Sequence, residues 1–186
     1  MVPIMSLWLP ILVSSVIVFL ASSVIHMFLG YHSKDFGSVP DENKFMDAIR
    51  GFNFAPGEYI VPRPGSRSDM NSPEFKAKVE KGPGILMTLW PGGSQSMTNN
   101  LIQWFVYTVI VGVFAAYVAG HALGPGAPYL SVFRFAGFTA FACYTVAGWQ
   151  ESIWYKRSWG RSLRNTIDGL IYGLLTAGTF GWLWPH

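Results

Sequence analysis

The chain has 186 residues, of which 51% are hydrophobic and only 12% charged, and its formal net charge is +3. That balance excludes an ordinary soluble domain and is too weakly basic to argue for nucleic acid as a partner. A single cysteine, Cys143, excludes an internal disulfide and says nothing of the redox compartment.

Four apolar runs are each long enough for the roughly 20 residues that a helix needs to cross a bilayer. They extend from Met5 to Leu29, Leu101 to Leu123, Leu130 to Ile153 and Leu163 to Trp184. The pattern predicts an all-α integral membrane protein, one membrane domain over residues 1–186 with four transmembrane helices. No Lys or Arg precedes the first run, and its apolar core exceeds the roughly 7–15 residues of a signal peptide, so it reads as a retained span.

In the first span, Ser14, Ser15, Ser22 and Ser23 are placed to bond back to carbonyls of the preceding turn. Ser22 and His26 lie four apart on one face, which is expected to look at protein. Residues 30–99 then form a long, ordered connecting segment. Asp41 and Glu42 after Pro40 start a short helix to Gly51, whose Phe45, Ala48, Ile49 and Phe52 make an apolar face for the membrane surface or the bundle. Phe54 to Arg67, rich in Pro and Gly, reads as an extended loop. Ser72, Pro73 and Glu74 carry the cap, first-turn proline and acidic residue of a second helix, which stops at Gly82-Pro83-Gly84. Ile85 to Trp90 is too short to cross and is expected to dip into the membrane interface.

The second span carries Gly112, Ala116 and Gly120 at every fourth position, and the last span carries Gly169, Gly173, Ala177 and Gly181 in the same way. Such smooth stripes are where membrane helices approach one another, and the two spans are expected to pair. Between Lys156 and Arg164 stand four basic residues and no acidic one, whereas Gly124 to Tyr129 is uncharged. Twelve of the thirteen Lys and Arg residues then fall on one side, which makes segment 30–99 cytoplasmic and both termini periplasmic.

This threading brings His26, Glu151 and Asp168 to a similar depth at the cytoplasmic end, with His32 and Asp35 just outside it. These five residues are the candidate polar cluster. Imidazoles and carboxylates suit Zn, Mn or Fe, but no metal-binding motif is present, and whether the cluster holds a metal is left open. The favoured reading pairs Glu151 and Asp168 with Arg157, Arg161 or Arg164, whose long stems reach the interface. A relay through Asp168, Tyr172 and Thr176 is the alternative. Arg134, near the outer end of the third span, is expected to snorkel there. Haem between His26 and His121 is not expected, since they lie towards opposite faces, and there is no nucleophile elbow or phosphate loop. No cofactor is expected.

Four features recur in order: His26, His32 and Asp35 after the first span; Pro40-Asp41-Glu42; Pro56 to Pro62; and Asp168 to Pro185. In this the chain resembles a group of uncharacterised bacterial inner-membrane proteins. The resemblance implies a multi-pass bacterial protein of four spans and leaves the activity open. The expected function is a non-catalytic accessory, assembly or structural subunit of a membrane complex. Its partners would be the lipid bilayer and other membrane proteins or copies of itself. A small transporter or membrane enzyme, working at a polar or metal site at the cytoplasmic end, is the other expectation.

Overall fold

The computed structural model of the chain describes residues 1–93 and 96–186. It divides into two units, Met1–Phe36 with Ser96–His186, and Gly37–Gln95.

The first unit is a helical bundle. Helix α1 (Trp8–Phe28) follows a 3-10 turn at Ile4–Leu7. Its serines do bond back: Ser15 Oγ donates to Ile11 O at 2.7 Å, and Ser22 and Ser23 both donate to Phe19 O. A serine hydroxyl satisfied this way costs little at apolar depth. Ile4–Phe28, Met97–Ala122 and Tyr129–Trp154 are three helical stretches long and apolar enough to cross a membrane. Only 28–33% of their most apolar windows is buried inside the protein. Leu12, Leu20, Phe114 and Phe138 therefore present apolar side chains outward, the arrangement expected where lipid rather than water is the solvent.

In the second unit Asp41 caps the helix Glu42–Gly51 (α2), its side chain accepting from Lys44 N, and Ser72 caps Pro73–Lys81 (α3) by accepting from Phe75 N. Between and after them the structure departs from expectation. Gly57–Val61 (β1) and Ile85–Leu89 (β2) pair as an antiparallel ribbon, with Gly57 opposite Leu89 and Val61 opposite Ile85. The segment expected as a loop and the patch expected to dip into the interface are partners in one small sheet. Each run has five residues, too few for a strand period to stand out, and each satisfies backbone hydrogen bonds by pairing with the other. The chain is thus mostly helical but not purely so.

Helix α4 (Met97–Ala122) begins at a Ser96 cap, and α5 (Tyr129–Thr145) gives way to a 3-10 turn at Val146–Gly148 and the short α6 (Trp149–Trp154). The third expected span is therefore two helices joined by a tightened turn. Helix α7 (Trp159–Trp182) starts at Ser158, whose hydroxyl accepts from Arg161 N. It is as long as the others, but Arg161, Arg164, Asn165 and Asp168 in its first half keep it out of the set that is apolar enough to cross by composition alone.

The small-residue stripes have partners, though not each other. Along α7 a Cβ on Gly169 would lie 2.1 Å from Thr145 Cγ2, one on Gly173 3.0 Å from Phe141 Cβ, and one on Gly181 2.6 Å from the Tyr129 ring. All three neighbours belong to α5, and Gly137 of α5 answers against Ala177. The α4 stripe packs on the N-terminal segment instead: Gly112 meets Ile11, and Gly120 meets the backbone of Val2, whose N–H donates to Gly120 O at 2.8 Å. The expected pairing of the second and fourth runs is replaced by α7 on α5 and α4 on α1. A stripe of small residues specifies close approach but not which partner approaches. Around Ala115, Ala116, Val132, Ala136 and Phe180 these contacts make an apolar core at the end where both termini lie.

Candidate functional site

The other end of the bundle is polar. Helix α1 stops at Leu29, and Gly30 takes φ 63°, a left-handed conformation that glycine adopts without a side-chain clash. This reversal feeds a 3-10 turn, Tyr31–Lys34, which folds His32 back over His26 with ring centroids 4.6 Å apart. Asp35 follows one turn later, at the spacing that lets a carboxylate meet His32.

On α7, Arg164 and Asp168 lie four residues apart on one face and reach the same turn. The Arg164 guanidinium donates to Asp35 Oδ1 through Nε at 2.7 Å and through Nη2. Asp35 Oδ2 accepts from His32 Nδ1 at 2.7 Å, and His32 Nε2 stands 2.8 Å from Asp168 Oδ2. The four side chains form a closed clasp between two ends of the chain. Burial alone would push the Asp35 carboxyl up, but hydrogen bonds from His32 and Arg164, with their charges, hold it below the usual carboxylate range. Asp35 is therefore an acceptor, which assigns the Nδ1 proton of His32 and leaves Nε2 sharing a proton with Asp168.

Asp168 is buried, with 4% of its side chain exposed. Its Oδ1 has no hydrogen-bond partner among the described residues, and neither has the buried Tyr172 hydroxyl one turn further along α7. An apolar and aromatic wall backs this position. Tyr172 lies 5.3 Å from the Tyr144 ring and 6.1 Å from the Trp104 ring, and Trp104 Nε1 donates to Ser22 Oγ at 2.7 Å. On the opposite side His26 is exposed, so the cluster has an open edge.

Four of the five candidate residues, His26, His32, Asp35 and Asp168, come together here. Glu151 does not. It is exposed on α6 and borders a separate polar cavity of about 200 Å³ with Arg157, Arg161, Ser162 and Asn165. The expected carboxylate–arginine pairs are rearranged: Asp168 takes a histidine, Arg164 takes Asp35, and Glu151 makes no ion pair among the described residues. At the far end Arg134 is exposed, and His121 bonds through Nδ1 to Tyr117 O of its own helix. The members that sequence reasoning missed are Tyr144 and Trp104 behind Asp168. Tyr172 was visible one turn from Asp168, but Tyr144 and Trp104 had no signal of proximity.

No protein-family model, curated protein or solved structure matches the chain. The fold and the cluster define only a class, a helical protein with three membrane-length apolar helices and a histidine–carboxylate–arginine network at one end of the bundle.

Proposed function

We propose that the chain is a four-span integral protein of a bacterial inner membrane, and that its working site is the end of the bundle carrying His26, His32, Asp35, Arg164 and Asp168. That is the site of a small transporter or membrane enzyme. The observation that carries this reading is the Asp168 carboxylate, buried, held 2.8 Å from a histidine and left with an oxygen unpartnered. A buried acceptor without a partner costs about 1–3 kcal/mol, which a purely structural helix contact has no reason to retain.

The fourth span is α7, whose basic first turns sit among Trp149, Trp154, Tyr155 and Trp159, the aromatic belt of a membrane interface. Lys156, Arg157, Arg161 and Arg164 make this end cytoplasmic and put the termini in the periplasm. In a deletion strain, Asp168→Asn and His32→Gln expressed at wild-type membrane levels behave as the deletion does, whereas Glu151→Gln restores the wild type. Full restoration by Asp168→Asn removes the site.

One observation favours the second reading, an accessory subunit of a larger complex. Gly137 and Gly173 floor an apolar groove of about 740 Å³ walled by Phe133, Phe138, Leu170 and Leu174. Its occupant would be a transmembrane helix of a partner, recognised by co-purification in mild detergent. A monodisperse monomer without companions counts against it.

A further inference from the structure

We infer that His26, His32 and Asp168 bind one divalent first-row transition-metal ion, with a coordination position left for water or substrate. The inference rests on the cluster being the working site and adds the ligand that the site takes.

The clasp alone does not account for the geometry. It uses His32, Asp35, Arg164 and Asp168, and it leaves His26 and Asp168 Oδ1 without a role. Yet one ring nitrogen of His26, one of His32 and a carboxylate oxygen of Asp168 all lie within 4.8 Å of one another. Ligand atoms at about 2.0–2.2 Å from a tetrahedral ion stand roughly 3.3 Å apart. His32 Nε2 and Asp168 Oδ2, now 2.8 Å apart, need to part only slightly to admit an ion where they share a proton, and that proton leaves to solvent as the ion enters.

The surroundings of His32 are those of a metal ligand. Its Nδ1–H donates to Asp35, which fixes the ring orientation and turns Nε2 toward the ion, and Arg164 in turn fixes Asp35. Two imidazoles and one carboxylate select transition ions such as Zn²⁺, Mn²⁺ or Fe²⁺ over Mg²⁺ and Ca²⁺, which prefer oxygen. Three protein ligands leave a tetrahedral ion one open position, and the exposed edge at His26 supplies the entry path.

The test uses full-length protein in detergent, stripped with chelator and dialysed against Zn²⁺, Co²⁺ or Mg²⁺, with bound metal counted by mass spectrometry. One Zn²⁺ or Co²⁺ per chain is expected, with the visible absorption of low-coordinate Co²⁺, and no retained Mg²⁺. His26→Ala and Asp168→Asn abolish the Co²⁺ signal, Asp35→Asn weakens binding by about 10- to 100-fold, and Glu151→Gln leaves it unchanged. His26 is exposed, so its replacement leaves the bundle folded, checked by circular dichroism and monodispersity. Wild-type protein that retains neither ion, or a folded His26→Ala variant that binds as tightly as wild type, overturns the inference. Wild-type protein that binds neither ion, with Asp168→Asn still failing to restore the deletion strain, leaves the working site standing and removes only the metal.

Discussion

His32 Nε2 lies 2.8 Å from Asp168 Oδ2 across 136 residues of chain. Their meeting joins the turn after the first apolar helix to the middle of the last helix, and the contacts of Asp35 with His32 and Arg164 close the same network.

Because Asp35 holds both His32 and Arg164, its removal strands two donors. Asp35→Ala is expected to lower stability by about 1–3 kcal/mol, the cost of leaving partly buried polar groups without an acceptor. Arg164→Met in the same chain restores part of the loss, since the pair is then replaced rather than broken. Thermal unfolding in detergent of the two single variants and the double variant measures the coupling, and strict additivity removes the clasp.

Two glycines of α7 separate packing from propensity. A Cβ at Gly169 meets Thr145 Cγ2 at 2.1 Å, so Gly169→Ala forces α5 and α7 apart and costs about 1–3 kcal/mol. At Gly178 the nearest atom is the Tyr129 hydroxyl at 3.7 Å, an ordinary contact, and Gly178→Ala gains up to about 1 kcal/mol of helix propensity. Opposite signs in melting temperature are expected, and equal losses mean that α7 does not pack on α5 through this stripe.

Trp104→Phe keeps the aromatic wall and deletes one hydrogen bond, that from Nε1 to Ser22 Oγ. A loss of about 1 kcal/mol is expected. Ser22→Ala added to Trp104→Phe costs less than it does alone, because the shared bond is already gone, and the unfolding midpoints of the four proteins report it.

The proposed threading is checked by labelling in a Cys143→Ser background. Gly124→Cys, in the link between α4 and α5, is expected to react with an impermeant maleimide added to whole cells, and Ser66→Cys only after lysis. The reverse pattern inverts the protein in its membrane.

Local chemistry made several elements legible in advance. Asp41 and Ser72 start helices because each offers an oxygen to a free N–H of the first turn, a decision taken within four residues. The two strands were not legible, since five apolar or mixed residues carry no period and their pairing joins Gly57 to Leu89. Within the site, His26, His32 and Asp35 are close in sequence and a single turn gathers them. Asp168 was marked by its depth, but the identity of its partner was not: Arg164, four residues away and of opposite charge, was the nearer choice. Glu151 shared the expected depth and stayed out, because depth along a bundle leaves its azimuth free.

By itself the sequence determined three of the four runs it offered as long and apolar enough to cross a membrane, along with helix starts such as those at Asp41 and Ser72 and which faces are smooth, since these depend on composition and on neighbours within a turn or two. Only the tertiary structure decided that α7 lies on α5, that α4 lies on α1, and that His32 rather than an arginine meets Asp168. Small residues allow close approach to any helix, and an aspartate accepts from any donor. The choice among partners is made by the packing of the whole bundle at once.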